Sequence, residues 1–167
     1  MKKSDNNVVS LFEQTNQGVQ KAVLTDSMKM KRGGSLSNPT VAYETWGKLS
    51  KQKDNVVVIL TGLSASSHVA SHSNNSKPGW WEGIVGPDKA IDTNKFYVIC
   101  INSLGSCFGS TGPASINQIT GEPFRLTFPE LTIDDMATAT KLLLDKLDIK
   151  QASVLGHSLG CLLYTSD

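Results

Sequence analysis

The residues of this chain best suited to chemistry are Gly156-His157-Ser158-Leu159-Gly160, a Gly-x-Ser-x-Gly pentapeptide entered from the apolar run at residues 152–155. When such a pentapeptide follows a strand and opens a helix, its serine sits on a sharp turn with the hydroxyl projecting from the sheet. Bulky side chains two places before and after the serine would collide across that turn, and glycines stand at both places, Gly156 and Gly160. The amide of Leu159, at the start of the following helix, would face an oxyanion formed as Ser158 attacks a carbonyl. The chemistry indicated is acyl transfer through an acyl-serine. Three fixed positions in five arise easily by chance, so the setting decides. Here an apolar strand run leads in and a helix-like segment lies upstream, as a βαβ unit requires.

A second chemical feature is the small-residue loop Thr61-Gly62-Leu63-Ser64-Ala65-Ser66-Ser67-His68, directly after the β-branched run at residues 56–60. Loops at the carboxyl ends of parallel strands are where open α/β sheets bind ligands. The glycine-rich stretch at residues 104–113 invites a phosphate-binding reading. Its spacing is neither Gly-x-Gly-x-x-Gly nor a Walker pattern, so a nucleotide loop is rejected.

Composition narrows the classes further. The chain has 167 residues and a net charge of +1, enough for one domain and no basis for nucleic-acid or anionic-membrane binding. Lys2 and Lys3 are followed by no apolar segment, and no run approaches membrane-spanning length, so the expected location is cytoplasmic. Cys100, Cys107 and Cys161 have no metal-ligand spacing, and three cysteines leave one over after any pairing, in keeping with a reducing compartment.

The elements that must position Ser158 follow from pattern. Residues 1–18 read as a loose polar arm, residues 19–160 as a core domain, and residues 161–167 as a tail foreign to it. Strands are expected at 19–24 and 41–45, paired antiparallel, then at 56–60, 96–101 and 152–155. Residues 71–79 read as exposed, and Trp80-Trp81 as core filling. Thr132, with Asp135 three residues on, predicts a capped helix ending near Asp148, its apolar stripe made of Ile133, Met136, Ala137, Thr140, Leu144 and Leu147. This order is that of an α/β class chain, specifically the N-terminal half of an α/β-hydrolase fold, a mostly parallel sheet with flanking helices.

Longer words make the resemblance specific. Ala42-Tyr43-Glu44-Thr45-Trp46-Gly47, Pro78-Gly79-Trp80-Trp81, Gly86-Pro87 with Ala90-Ile91-Asp92-Thr93, Gly109-Ser110-Thr111-Gly112-Pro113 with Ser115-Ile116-Asn117, and Phe128-Pro129 before Thr132-Ile133 resemble the homoserine O-acyltransferase family. That resemblance implies transfer of an acetyl or succinyl group from acyl-CoA, as co-substrate, to the hydroxyl of homoserine or serine, in methionine or cysteine biosynthesis. It implies Ser158 as nucleophile and the amides of Leu63 and Leu159 as oxyanion donors, with no bound cofactor or metal, and a homodimer. His68 falls in the oxyanion loop and reads as structural, since the fold takes its triad in the order serine, acid, histidine.

Two departures accompany it. Leu63-Ser64-Ala65-Ser66 stands where the family commonly has Leu-Thr-Gly-Asp, and with the segments at 102–107 and 128–131 this resembles the succinylating branch. In addition, no histidine follows Ser158, and Asp167 is a weak candidate for the acid. The triad aspartate and histidine are therefore expected outside this sequence. On this reading the sequence is a fragment, nearly inactive alone, with the elbow strand as an uncovered, aggregation-prone edge. Two other readings stand beside it: a generic serine esterase or thioesterase of the same fold, and a non-catalytic folded protein.

Overall fold

The computed structural model describes residues 18–163. The N-terminal arm up to Asn16-Gln17 and the last four residues, with Asp167, lie outside the described residues. The architecture is a five-stranded mixed sheet, flanked by two small strand pairs.

β1 (Gln20–Val23) lies antiparallel to β4 (Thr40–Trp46), with Gln20 opposite Tyr43. A hairpin of β2 (Ser27–Lys29) and β3 (Ser35–Ser37) intervenes, where the sequence pattern showed only turn signals. β4 is antiparallel to β8 (Tyr97–Ile101), and β8 is parallel to β5 (Val56–Leu60), so the central strands carry the continuous apolar runs of a sheet covered on both faces. β9 (Ser153–Gly156) adds in parallel to β5, with Leu60 opposite Gly156. This register brings the ends of β5 and β9 side by side and so joins the two loops of chemical interest. β6 (Val85–Gly86) and β7 (Ile91–Asp92) form a separate parallel pair.

Two apolar clusters sandwich the sheet. One gathers Leu36, Val58, Ile99, Leu104 and Leu143, and the other Trp46, Ile59, Val69, Val85 and Cys100. Burial pushes the Cys100 thiol well up, with the nearby Glu44 carboxylate adding to the effect, so this cysteine is an inert core residue.

Helix α1 (Ile133–Lys146) begins with the expected capping box: the Thr132 hydroxyl accepts the Asp135 amide at 3.2 Å, and the Asp135 carboxylate accepts the Thr132 amide at 2.9 Å. The helix ends at Lys146 with Leu147 as its C-cap, and Asp148 just beyond is in the left-handed region at φ 54. The expected stripe is displaced by about one position. Ile133, Met136, Ala137, Leu144 and Leu147 pack only partly against the core, while Asp135, Ala139 and Leu143 are the buried positions. The reason lies at the N-terminus. The Asp135 carboxylate also accepts the Lys31 amide at 2.9 Å, which turns Asp135, and with it the positions four and eight residues later, toward the core. Burial acts to raise the Asp135 carboxyl, but the bonds from Thr132 and Lys31 outweigh it and hold the group below the usual carboxylate range.

No helix among the described residues is long and apolar enough to cross a membrane.

Candidate active site

The site forms where β5 and β9 end together. β9 leads through His157 to Ser158, which sits at φ 55, and helix α2 (Gly160–Leu163) starts two residues later. A positive φ at a non-glycine residue is costly, and here the tight turn is held by its own bonds, His157 N to Leu60 O at 3.1 Å and Gly160 N to His157 O at 2.9 Å. The two flanking glycines face each other. A Cβ on Gly156 would lie 2.6 Å from the Gly160 carbonyl, and one on Gly160 would lie 2.2 Å from the Leu60 oxygen. Neither position has space for a side chain. Cys161, Leu162 and Leu163 continue the helix, and Leu163 is buried in the core.

The loop after β5 approaches from the other side. A Cβ on Gly62 would come within 3.2 Å of the Ser158 Cβ, so the two loops meet at these residues. Leu63 and Leu159, whose amides the resemblance offers as oxyanion donors, both line a cavity of about 320 Å³ with Gly62, Leu104, Leu131 and Met136. Ser158 itself does not line it, although its neighbour Leu159 does. Leu63 is 82% exposed, so its side chain packs little against the rest of the fold.

The histidines occupy distinct places. His157 packs its ring against Trp80 and Trp81, with centroids 5.3 and 5.5 Å apart. His68 and His72 both turn to the buried Glu44 carboxylate, at 2.9 and 2.8 Å. Among the described residues no histidine nitrogen is hydrogen-bonded to Ser158.

Three features were missed by reading the sequence. Residues 71–79 are not simply exposed: Asn75 is buried and His72 half-buried, drawn inward by Glu44 and by the mutual backbone bonds of His72 and Asn75. Trp80 does more than fill space, since its indole N–H donates to Ser66 O at 2.8 Å and so ties the loop to the tryptophan pair. Finally, Glu44, His68 and His72 bring their side-chain donor atoms within 4.8 Å of one another. Nothing in their spacing announces this, because they come from β4 and from two positions after β5.

The comparisons with known proteins fit this geometry. The family of the alpha/beta hydrolase fold matches residues 55–165, from the start of β5 to beyond Ser158. The chain belongs to the α/β-hydrolase family. The sequence is 51% identical over 144 residues to a serine O-succinyltransferase of Xanthomonas campestris pv. campestris, covering 86% of this chain and 38% of that protein. Among solved structures it is similar to esterase E22, with TM-score 0.76 and 38% identity over 87% of this chain and 42% of that one. It is also similar to a homoserine O-acetyltransferase from Bacillus anthracis, with TM-score 0.79 and 32% identity over 88% of this chain and 41% of that one. The chain thus spans about two-fifths of the length of the relatives it matches. The resemblance to acyltransferases of the homoserine and serine type, read from the sequence words, agrees with these findings.

Proposed function

We propose that the protein is an acyl-CoA-dependent O-acyltransferase that moves a succinyl or acetyl group to the side-chain hydroxyl of serine or homoserine. The observation that carries this reading is the 51% identity to a serine O-succinyltransferase across 144 residues, 86% of this chain. Among donors and acceptors it favours succinyl and serine, in agreement with the succinylating character of Leu63-Ser64-Ala65-Ser66.

In this reading Ser158 Oγ attacks the thioester carbonyl, its proton going to a histidine that the resemblance places downstream of the sequence in hand. The tetrahedral oxyanion is held by the amides of Leu63 and Leu159, each donor of this kind lowering the barrier by about 3 kcal/mol. Collapse breaks the C–S bond and releases the CoA thiol, which takes up the proton. The amino-acid hydroxyl then attacks the acyl-serine, frees the O-acyl amino acid and restores Ser158. Acyl-CoA serves as co-substrate, and the chemistry belongs to a cytoplasmic biosynthetic route to cysteine or methionine, carried by a homodimer.

A second reading, ester hydrolysis, is favoured by the similarity to esterase E22. The deciding experiment expresses the complete reading frame containing this sequence. Succinyl-CoA and acetyl-CoA are each supplied with serine and with homoserine, and free thiol and O-acyl product are measured beside hydrolysis of p-nitrophenyl acetate. Acceptor-dependent thiol release supports the transferase. Ester hydrolysis with no acylated amino acid from any pair overturns it in favour of the esterase.

A further inference from the structure

We infer that Glu44 is the positioning residue of the oxyanion side of the site, holding the loop that carries Leu63 through Ser67 and His68. The inference rests on the reading of Leu63 as an oxyanion donor.

Glu44 stands in the middle of β4, opposite Cys100 on β8, and is 1% exposed. A carboxylate so placed costs several kcal/mol unless donors surround it. All the donors it has found come from the end of the loop and the turn just after it. Ser67 Oγ donates to Oε1 at 3.0 Å, His68 Nδ1 is 2.9 Å from Oε2, and His72 Nε2 is 2.8 Å from the same oxygen. Asn102, at the end of β8, completes the frame. Its amide group donates to Ser67 Oγ at 3.1 Å and to Phe108 O at 2.8 Å, and its carbonyl accepts the Ser67 amide. Ser67 therefore has one geometry open to it, receiving from Asn102 and giving to Glu44.

The other end of the loop is pinned as well, by Thr61 Oγ1 to Ile101 O at 3.3 Å, and its middle by the Trp80 indole on Ser66 O. Between these anchors only Leu63 and Ser64 are exposed. Only Ser64, Ala65 and Ser66 separate Leu63 from the Ser67 anchor, and a donor amide misplaced by about 1 Å can cost on the order of a hundredfold in rate.

His68 adds a second tie. Its Nδ1 lies 2.9 Å from Glu44 Oε2 and its Nε2 2.8 Å from Lys77 O, so the ring links the end of the loop both to β4 and to the segment before Trp80. Glu44, His68 and His72 also have the donor set of a cation site. His72 Nδ1, however, accepts the Asn74 amide at 3.2 Å, so its Nε2 carries the hydrogen and has no lone pair to offer. Holding the loop is what this cluster does.

The test uses the protein from the complete reading frame, with p-nitrophenyl acetate as acyl donor, because both an acyltransferase and an esterase would use the same oxyanion donors. Glu44→Gln keeps the shape but turns an NH₂ toward converging donors. It is expected to lower kcat about a hundredfold with KM within threefold, and to speed hydrogen exchange of the Ser67 amide at least tenfold. Ser67→Ala, which leaves the carboxylate with its two histidines, is the milder variant should Glu44→Gln fail to fold. It is expected to lower kcat about tenfold with KM unchanged, and Ser67→Thr, which restores the hydroxyl, to recover most of that loss. A folded Glu44→Gln or Ser67→Ala protein with kcat within twofold of the parent, or with a change confined to KM, overturns the inference. If the parent turns over neither esters nor thioesters, the functional reading fails. Slow exchange of the Ser67 amide that survives in a folded Glu44→Gln or Ser67→Ala protein then still overturns the anchoring role separately.

Discussion

The two loops that meet at Ser158 are held in opposite ways. The loop after β5 is fixed by side chains: Thr61, Ser67 and His68 reach to β8, Asn102 and Glu44, and Trp80 reaches to it. The turn after β9 is fixed by the absence of side chains, Gly156 against Gly160 and Gly160 against the Leu60 carbonyl. The first arrangement uses buried hydrogen bonds to orient a stretch that, on the proposed reading, contributes a backbone amide. The second uses close backbone packing to force one strained residue, Ser158, into the left-handed region. If the proposed roles hold, a donor on one loop and a nucleophile on the other are kept in register by two mechanisms that different substitutions can disturb.

The largest effect expected from breaking this pairing is chemical. Ser158→Ala in the complete protein should lower acyl transfer by about 10⁴-fold or more, while thermal unfolding changes little, because the residue is exposed. Loss of an acyl-enzyme adduct by mass spectrometry checks it directly. Activity surviving within tenfold would place the nucleophile elsewhere.

Next in size is the steric side of the comparison. Gly160→Ala puts a methyl group 2.2 Å from the Leu60 oxygen, a contact that backbone on both sides must move to relieve. A loss of about 3 kcal/mol or more is expected in denaturant unfolding, on the scale of strain in a packed core. By contrast, Gly83→Ala, where a Cβ meets nothing within 4 Å, should leave stability within about 0.5 kcal/mol. Equal costs at the two glycines would remove the steric account of the elbow.

A smaller effect should come from the N-terminal cap of helix α1. Thr132→Ala deletes the hydroxyl that accepts the Asp135 amide and is expected to cost about 1 kcal/mol, with the site's kinetics unchanged. An accompanying fall in kcat would show that α1 also sets loop geometry.

How much of this was legible in the sequence follows the same division. The elbow could be read because its requirement is local: glycines at fixed offsets around a serine, behind an apolar run. The central strands were equally plain, as continuous runs at 56–60 and 97–101 buried on both faces. The anchoring of the other loop could not be read, because Glu44, Ser67, His72 and Asn102 become neighbours only when β4, β5 and β8 pair. The Glu44 of Ala42-Tyr43-Glu44-Thr45 was a clue, being a carboxylate where alternation places an inward-facing residue. The helix stripe slipped by one position for a related reason, since Lys31, a distant residue, decides which way Asp135 turns.

The smallest expected effect concerns the turn that touches both loops. Glu82 accepts the amides of Ser71 and Gly79 at 2.7 and 3.0 Å and the Ser71 hydroxyl at 2.8 Å, closing the segment that presents Trp80 to Ser66 and Trp81 to His157. These bonds, the Gly79 amide foremost, with some help from Lys89, lower its carboxyl to about 2 from 4.5. Because the folded value lies below the unfolded one, the charged form stabilises the fold fully above about pH 4.5, and this contribution is lost as pH falls toward 2. Glu82→Gln should therefore be less stable than the parent near neutrality, and the gap should close progressively between those two pH values when urea midpoints are compared. The gap is expected to be modest, since the carboxylate is partly exposed and solvent screens it. A gap that stays constant down to pH 2 would mean that shape, and not charge, holds the turn. The tryptophan bridge would then belong with the glycine elbow as a packing device, and not with the hydrogen-bonded loop.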